Sequence, residues 1–227
     1  MNDIFYVGGV KGGVGKTLVA LALIDWLQHG QGLSPLLIEG DPGNPDAAAA
    51  LTADLPGAVA PLRLDTEPGW EAFAQTIHEA QRPVVVNSAA ANVAYVTAHG
   101  ALLRAYLTHF RSEQRRFWLL WLLNRDEWTL RPLAGFLEAL GPDRIVVLQN
   151  QRFGTDFTLW EGSAIRKTVL AQGGRAGVVP DLHDVYDSLK AGRLSFARGL
   201  NTFAFGKRVR LERHRQTFWA LFTEVLQ

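Results

Sequence analysis

The 227 residues contain no cysteine. Disulfides, thiolate metal sites and thiol catalysis are thereby excluded, and the composition suits a reducing compartment, so a cytoplasmic protein is expected. Excess charge is missing too. Basic side chains number 23 and acidic ones 22, so the formal charge of +1 argues for no partner by itself. Long apolar runs are also absent: the longest, Phe117 to Leu123, is strand-sized and far short of the roughly 18 residues of a membrane-spanning helix. No repeat, low-complexity tract or linker divides the chain. The first residues enter a strand pattern directly, so no signal peptide is expected. His29, His78, His99, His109, His183 and His214 show no metal-ligand spacing. The seven tryptophans read as core and interface filling.

What is present is enough apolar sequence, 48%, for one large α/β domain spanning 1–227, with a basic, helical part from about 182. Strand candidates lie at 4–8, 35–39, 83–87, 117–124, 145–150 and 177–179, with a further, less regular one at 59–64. They are Val-, Ile- and Leu-rich without polar alternation, as parallel strands covered on both faces are. Helical patterns separate them at 16–29, 70–80, 94–111, 130–140 and 158–172, and two or three more follow Pro180. The alternation predicts right-handed βαβ units and a doubly wound, mostly parallel sheet with helices on both faces. Ligands of such sheets sit at the carboxyl ends of the strands.

The first strand candidate runs into Gly8-Gly9-Val10-Lys11-Gly12-Gly13-Val14-Gly15-Lys16-Thr17, and a helix pattern begins at once. Strand, glycine-rich turn and helix form a phosphate loop. The glycines let successive N–H groups of Gly12, Gly13, Val14, Gly15, Lys16, Thr17 and Leu18 point at one anion, and the helix N-terminus adds partial positive charge. Lys16 would neutralise the β- and γ-phosphates of ATP or ADP, and Thr17 would hold Mg²⁺ through its hydroxyl.

The loop departs from the general pattern. Val10 stands where a glycine five residues before Gly15 is usual, and a second lysine, Lys11, lies inside. Lys-Gly-Gly-Val-Gly-Lys-Thr resembles the deviant Walker A loop of the ParA/MinD family of ATPases. The resemblance implies a P-loop ATPase fold, an ATP-dependent homodimer, and a Lys11 that reaches across it to the partner's phosphates. At 38–44 the chain reads Ile-Glu-Gly-Asp-Pro-Gly-Asn, where the family has Asp-x-Asp-Pro. Asp41 matches the acid that orients the attacking water, and Glu39 replaces the first Asp but keeps a carboxylate beside Mg²⁺. The 83–87 strand ends in Asn87 where the family has Asp, and no proline follows. Asn87 keeps a carbonyl oxygen for a metal-bound water but carries no charge, so slow hydrolysis is expected. Plasmid-borne relatives linked to conjugative transfer and plasmid stability are similar in carrying Asn there. The resemblance also implies that Asn150 reads the adenine edge and that Pro180 and Asp181 belong to the loop beside the base.

Two features remain open. Asn124, Arg125 and Asp126, ending the 117–124 strand, either contact the site or simply leave the core. Lys190, Arg193, Arg198, Lys207, Arg208, Arg210, Arg213 and Arg215 form a basic stretch opposed within it only by Glu212. They are either a solvated helix face or a surface for non-specific DNA, as in family relatives. A partition or transfer protein is a further expected partner. Phe218, Leu221, Phe222, Val225 and Leu226 form an amphipathic stripe. MinD-like relatives use such a helix on membranes, but a doubly wound sheet needs it as cover, so it is assigned to the core.

Overall fold

Seven apolar runs become strands of a single sheet: β1 (Ile4–Gly8), β2 (Leu36–Gly40), β3 (Val59–Pro61), β4 (Val84–Ser88), β5 (Phe117–Leu123), β6 (Arg144–Asn150) and β7 (Arg175–Val179). All pairs are parallel, in the order β3-β2-β4-β1-β5-β6-β7. The structure, a computed structural model, describes residues 2–10, 12–90 and 92–227. β1 stands between β4 and β5, where the chain stops winding one way and starts the other, so its carboxyl end opens the crevice that ligands use in such sheets.

Side-chain alternation splits the core into two layers. Phe5 and Val7 of β1 face one, Ile4 and Tyr6 the other. The first layer is covered by α1 (Lys16–Asp25), α2 (Asp46–Leu51), α10 (Asp184–Gly192), α11 (Phe196–Thr202) and α12 (Phe205–Val225). The second lies under α3 (Glu67–Glu79), α4 (Asn92–Ala98), α5 (Gly100–Ser112), α7 (Leu133–Leu140) and α9 (Ala164–Ala171), with short α6 (Glu127–Leu130) and α8 (Thr158–Glu161) in the connections. The stripe from Phe218 to Leu226 is buried in the first layer, as the covering role requires. Among the described residues no helix is long and apolar enough to cross a membrane.

Three helix expectations are corrected. The 94–111 pattern is two helices, because His99 leaves helical geometry (φ −115°, ψ 21°) and lets Gly100 press on Ala139, where a Cβ would sit 2.8 Å from backbone. The 130–140 pattern breaks at Pro132, which has no N–H to continue a ladder. The 158–172 pattern breaks at Gly162, after which the Ser163 hydroxyl accepts the Arg166 N–H at 3.1 Å and starts α9. The 59–64 run is a strand only over Val59–Pro61. α2 has no counterpart in the reading of the sequence. Its Asp-Ala-Ala-Ala-Ala-Leu stretch carries no apolar period, although alanine favours helix everywhere.

Candidate nucleotide site

The loop between β1 and α1 gathers its neighbours from three other strand ends. Gly13 (φ 78°) and Gly15 (φ 108°) adopt the left-handed conformation that turns the backbone inward. A Cβ on Gly12 or Gly13 would meet nothing within 4 Å, so the loop borders open space, whereas one on Gly15 would sit 2.5 Å from Asn150 Nδ2. Lys16 opens α1 and is 8% exposed. Burial pushes its ammonium down to about 8, with the Asp41 carboxylate working against that fall. A phosphate beside it would favour the charged form. Lys11 lies outside the described residues.

A cavity of about 290 Å³ joins Gly12, Gly13, Gly15, Lys16, Thr17 and Leu18 to Asp41, Asn87 and Asn150. Val14 is buried and turns its carbonyl to Asn150. Pro180 and Asp181 line a neighbouring hollow of about 370 Å³ with His183 and α12 residues. Asp181 is engaged there by His183, accepting its backbone N–H at 2.8 Å.

Behind the cavity lies a carboxylate fully enclosed by protein. Glu39 accepts the Asn87 amide on Oε1 at 2.8 Å and the Asp41 N–H on the same oxygen at 3.3 Å. Its Oε2 accepts the Ala48 N–H at 3.0 Å and so fixes the start of α2. Burial raises its pKa and these three bonds oppose the rise. Asn87 thereby directs its NH₂ at Glu39, and its Oδ1 is buried with no hydrogen-bond partner among the described residues. An unfilled acceptor at the floor of an acid-lined cavity suits a metal-bound water.

Asn150 is committed at both ends: its NH₂ donates to Val14 O at 2.7 Å, and its Oδ1 accepts the Arg152 N–H at 3.0 Å. It therefore ties β6 to the glycine loop. Asn124, Arg125 and Asp126 leave the core: Asn124 Oδ1 accepts the Asp126 N–H at 2.8 Å, and Asp126 caps α6 through the Trp128 N–H at 3.0 Å.

The structure also brings in residues that the sequence reading did not place at the site. Arg152, Tyr186 and Lys190 line the cavity, and Lys190 pairs with Asp46 at 2.8 Å. Arg152 pairs with Asp187 at 3.0 Å. Arg152 was within reach of the strand-end rule, standing two residues past β6. Lys190, counted with the basic stretch in the sequence, stands at the cavity and on Asp46. Lys207 and Arg210 pair with Asp184, and Arg215 with Asp25. With Lys190 on Asp46, four of the eight cations are matched by acids that folding brings from outside the stretch.

No protein-family model matches the chain. Two solved structures share its architecture at low identity. The MinD cell division protein of Aquifex aeolicus superposes with a TM-score of 0.51 at 13% identity, covering 96% of this chain and 97% of that one. The MinC:MinD cell division protein complex of the same organism gives 0.51 at 12% identity, covering 96% of each chain. The likeness shows a MinD-type P-loop fold. In sequence, the chain is 34% identical over 218 residues to Protein MobD of Acidithiobacillus ferrooxidans, covering 94% of this chain and 93% of the relative. The chain belongs to the MobD family.

Proposed function

We propose that this protein binds Mg·ATP at the glycine loop, dimerises around it, and hydrolyses it slowly as a switch. The observation that carries the reading is Lys16, a buried ammonium at a helix N-terminus beside glycines that border open space. In this reading Gly12 to Leu18 offer N–H groups to the phosphates and Lys16 neutralises them. Thr17, Asp41 and Asn87 Oδ1 would hold the ion and its waters, with Glu39 fixing the Asn87 amide from behind. When bound, magnesium shields the phosphate charge and polarises the phosphoryl oxygens. Asp41 orients a water that adds to the γ-phosphorus as the bond to the β-bridging oxygen breaks and ADP leaves. Lys11 is assigned the cross-dimer phosphate contact that its loop resemblance implies. Asn150 holds the loop, and Pro180 and Asp181 border the side from which adenine would approach.

The cellular role we assign is cytoplasmic, in plasmid partition, stability or conjugative transfer, with a transfer or partition protein as partner. It rests on the resemblance of the loop and of Asn87 to plasmid-borne relatives, and kinship with MobD is compatible with it. A second reading is a nucleotide-gated binding module with little turnover. It is favoured by the uncharged Asn87 side chain and by Glu39, whose carboxylate is enclosed by protein and already accepts three N–H donors, so no second free carboxylate stands beside the ion. One experiment addresses both: calorimetry of ATP binding with single-turnover hydrolysis for wild type, Lys16→Ala and Asp41→Ala. Lys16→Ala should lose most affinity, and Asp41→Ala should bind ATP but turn over at least tenfold more slowly. Unaltered affinity in Lys16→Ala would sink the site. Wild-type turnover no faster than that of Asp41→Ala selects the second reading.

A further inference from the structure

Far from the glycine loop, folding assembles three side chains from two helices: His78, His109 and Glu113. α3 leads into β4 and α5 into β5, so both helices end at the edge where the parallel strands begin, opposite the candidate nucleotide site. His78 Nδ1 lies 2.8 Å from Glu113 Oε1, and His109 Nε2 lies 3.2 Å from the same oxygen. All three ligand atoms fall within 4.8 Å of one another. Atoms that share one zinc ion at about 2.0–2.1 Å stand roughly 2.9–3.4 Å apart. Both imidazole contacts to Glu113 Oε1 are near that spacing, and the 4.8 Å bound leaves the exposed imidazoles at most about 1.4 Å to close between themselves.

Three further observations favour a cation. Glu113 Oε2 is buried with no hydrogen-bond partner among the described residues, so the carboxylate has acceptor capacity left over. The C-terminal turns of α3 and α5 both contribute partial negative charge here. Arg115, a cation on the same corner, gives its hydrogen bonds to carbonyl oxygens including those of Ile77 and Ala80, so it finishes α3 and reaches Glu113 only through its field. His109 and Glu113 stand four apart, which puts both on one face of a helical turn; only the fold adds His78.

We infer that His78, His109 and Glu113 form a site for a divalent late transition metal of the zinc class. Two imidazoles and one carboxylate are zinc's ordinary donors, and three protein ligands leave a position for water. The bound ion clamps the end of α3 to the end of α5. The inference is independent of the nucleotide reading.

The test uses the full-length chain stripped of metal, titrated with zinc chloride alone in a calorimeter and followed by thermal unfolding. One zinc per chain is expected. His78→Ala and His109→Ala should each weaken it at least about tenfold, while His29→Ala, which lies elsewhere, should leave it unchanged. The imidazoles at 78 and 109 are 55% and 57% exposed, so their removal spares the core. Zinc at about one hundred times the wild-type Kd should raise wild-type Tm by about 5–10 °C and that of a variant weakened tenfold by only about 3–6 °C, less where the loss is larger. No stoichiometric binding by the wild type, or an affinity and a Tm rise equal to wild type in both variants, overturns the site.

Discussion

At the scale of single residues, the proposed nucleotide chemistry rests most on Lys16 and Asn87, and each is shaped by what surrounds it. The folded Lys16 ammonium is pushed from 10.5 down to about 8 by burial. The sign follows from linkage. Without ligand, the stability Lys16 contributes is present above pH 10.5 and is lost as pH falls through about 8, because the buried charge must then be carried. A bound phosphate reverses the preference, since it favours the ammonium. ATP affinity is therefore expected to be steady below pH 8 and to fall by up to about tenfold per unit above it. Calorimetry from pH 7 to 9.5 measures this, and Lys16→Arg, charged throughout, should remove the slope. A wild-type affinity that does not change over that range would refute a phosphate role for this lysine. Lys16 was legible because the motif names it. The Asn150–Val14 contact was not, because a hydrogen bond across 136 residues leaves no local pattern.

At the scale of elements, α1 links the candidate site to the C-terminal part. Its last α-helical residue, Asp25, is 5% exposed and accepts from Arg215 Nε and Trp219 Nε1, each at 2.8 Å on Oδ2. A π-helical turn, Trp26–Gly30, follows and is itself packed against α12 through Trp26 and Phe222. Asp25→Ala would leave Arg215, 15% exposed, with only the longer contact to Glu212 at 3.7 Å inside a packed interface. The expected cost is about 2–4 kcal/mol in urea unfolding, set by a charge left with only the distant Glu212 rather than by two average hydrogen bonds. Glu127→Ala removes the exposed pair with Arg131 and should cost under about 0.5 kcal/mol, so equal costs would contradict the burial argument. A lone acid among Leu23, Ile24, Trp26 and Leu27 was readable as unusual. Its partners, 190 and 194 residues away, were not. Helix breaks follow the same division: Pro132 and Gly162 are punctuation any reader can use, whereas the break at His99 is set by the contact of Gly100 with Ala139.

At the scale of the whole molecule, winding order explains why the site was largely legible and the surface was not. Each site segment follows a strand, and a parallel sheet delivers all those ends to one edge, so position after an apolar run was sufficient. Charge on the surface depends on which helices meet. Acids at 25, 46 and 184 pair with Lys190, Lys207, Arg210 and Arg215, Asp184 serving two of them, although local sequence shows an almost unopposed basic run. Arg193, Arg208 and Arg213 are exposed, and Arg208 and Arg213 share a groove of about 500 Å³ with Val209 and Gln216. If duplex DNA is the surface this protein acts on, those arginines are the ones that meet phosphates. Each phosphate neutralised contributes about 0.9 to the slope of log K against log salt. Arg208→Ala with Arg213→Ala should therefore lower the slope by up to about two units and weaken binding similarly on any sequence. Lys207→Ala with Arg210→Ala, which mainly frees Asp184, should change the slope less. The measurement is a salt titration on arbitrary duplex DNA with ATP, ADP and no nucleotide. The proposed ATP-bound dimer, presenting two such surfaces, should show the steepest slope. Equal losses from both pairs would mean that net charge matters and the groove does not. Absence of binding at low salt with every nucleotide would remove DNA and leave a protein partner for this face.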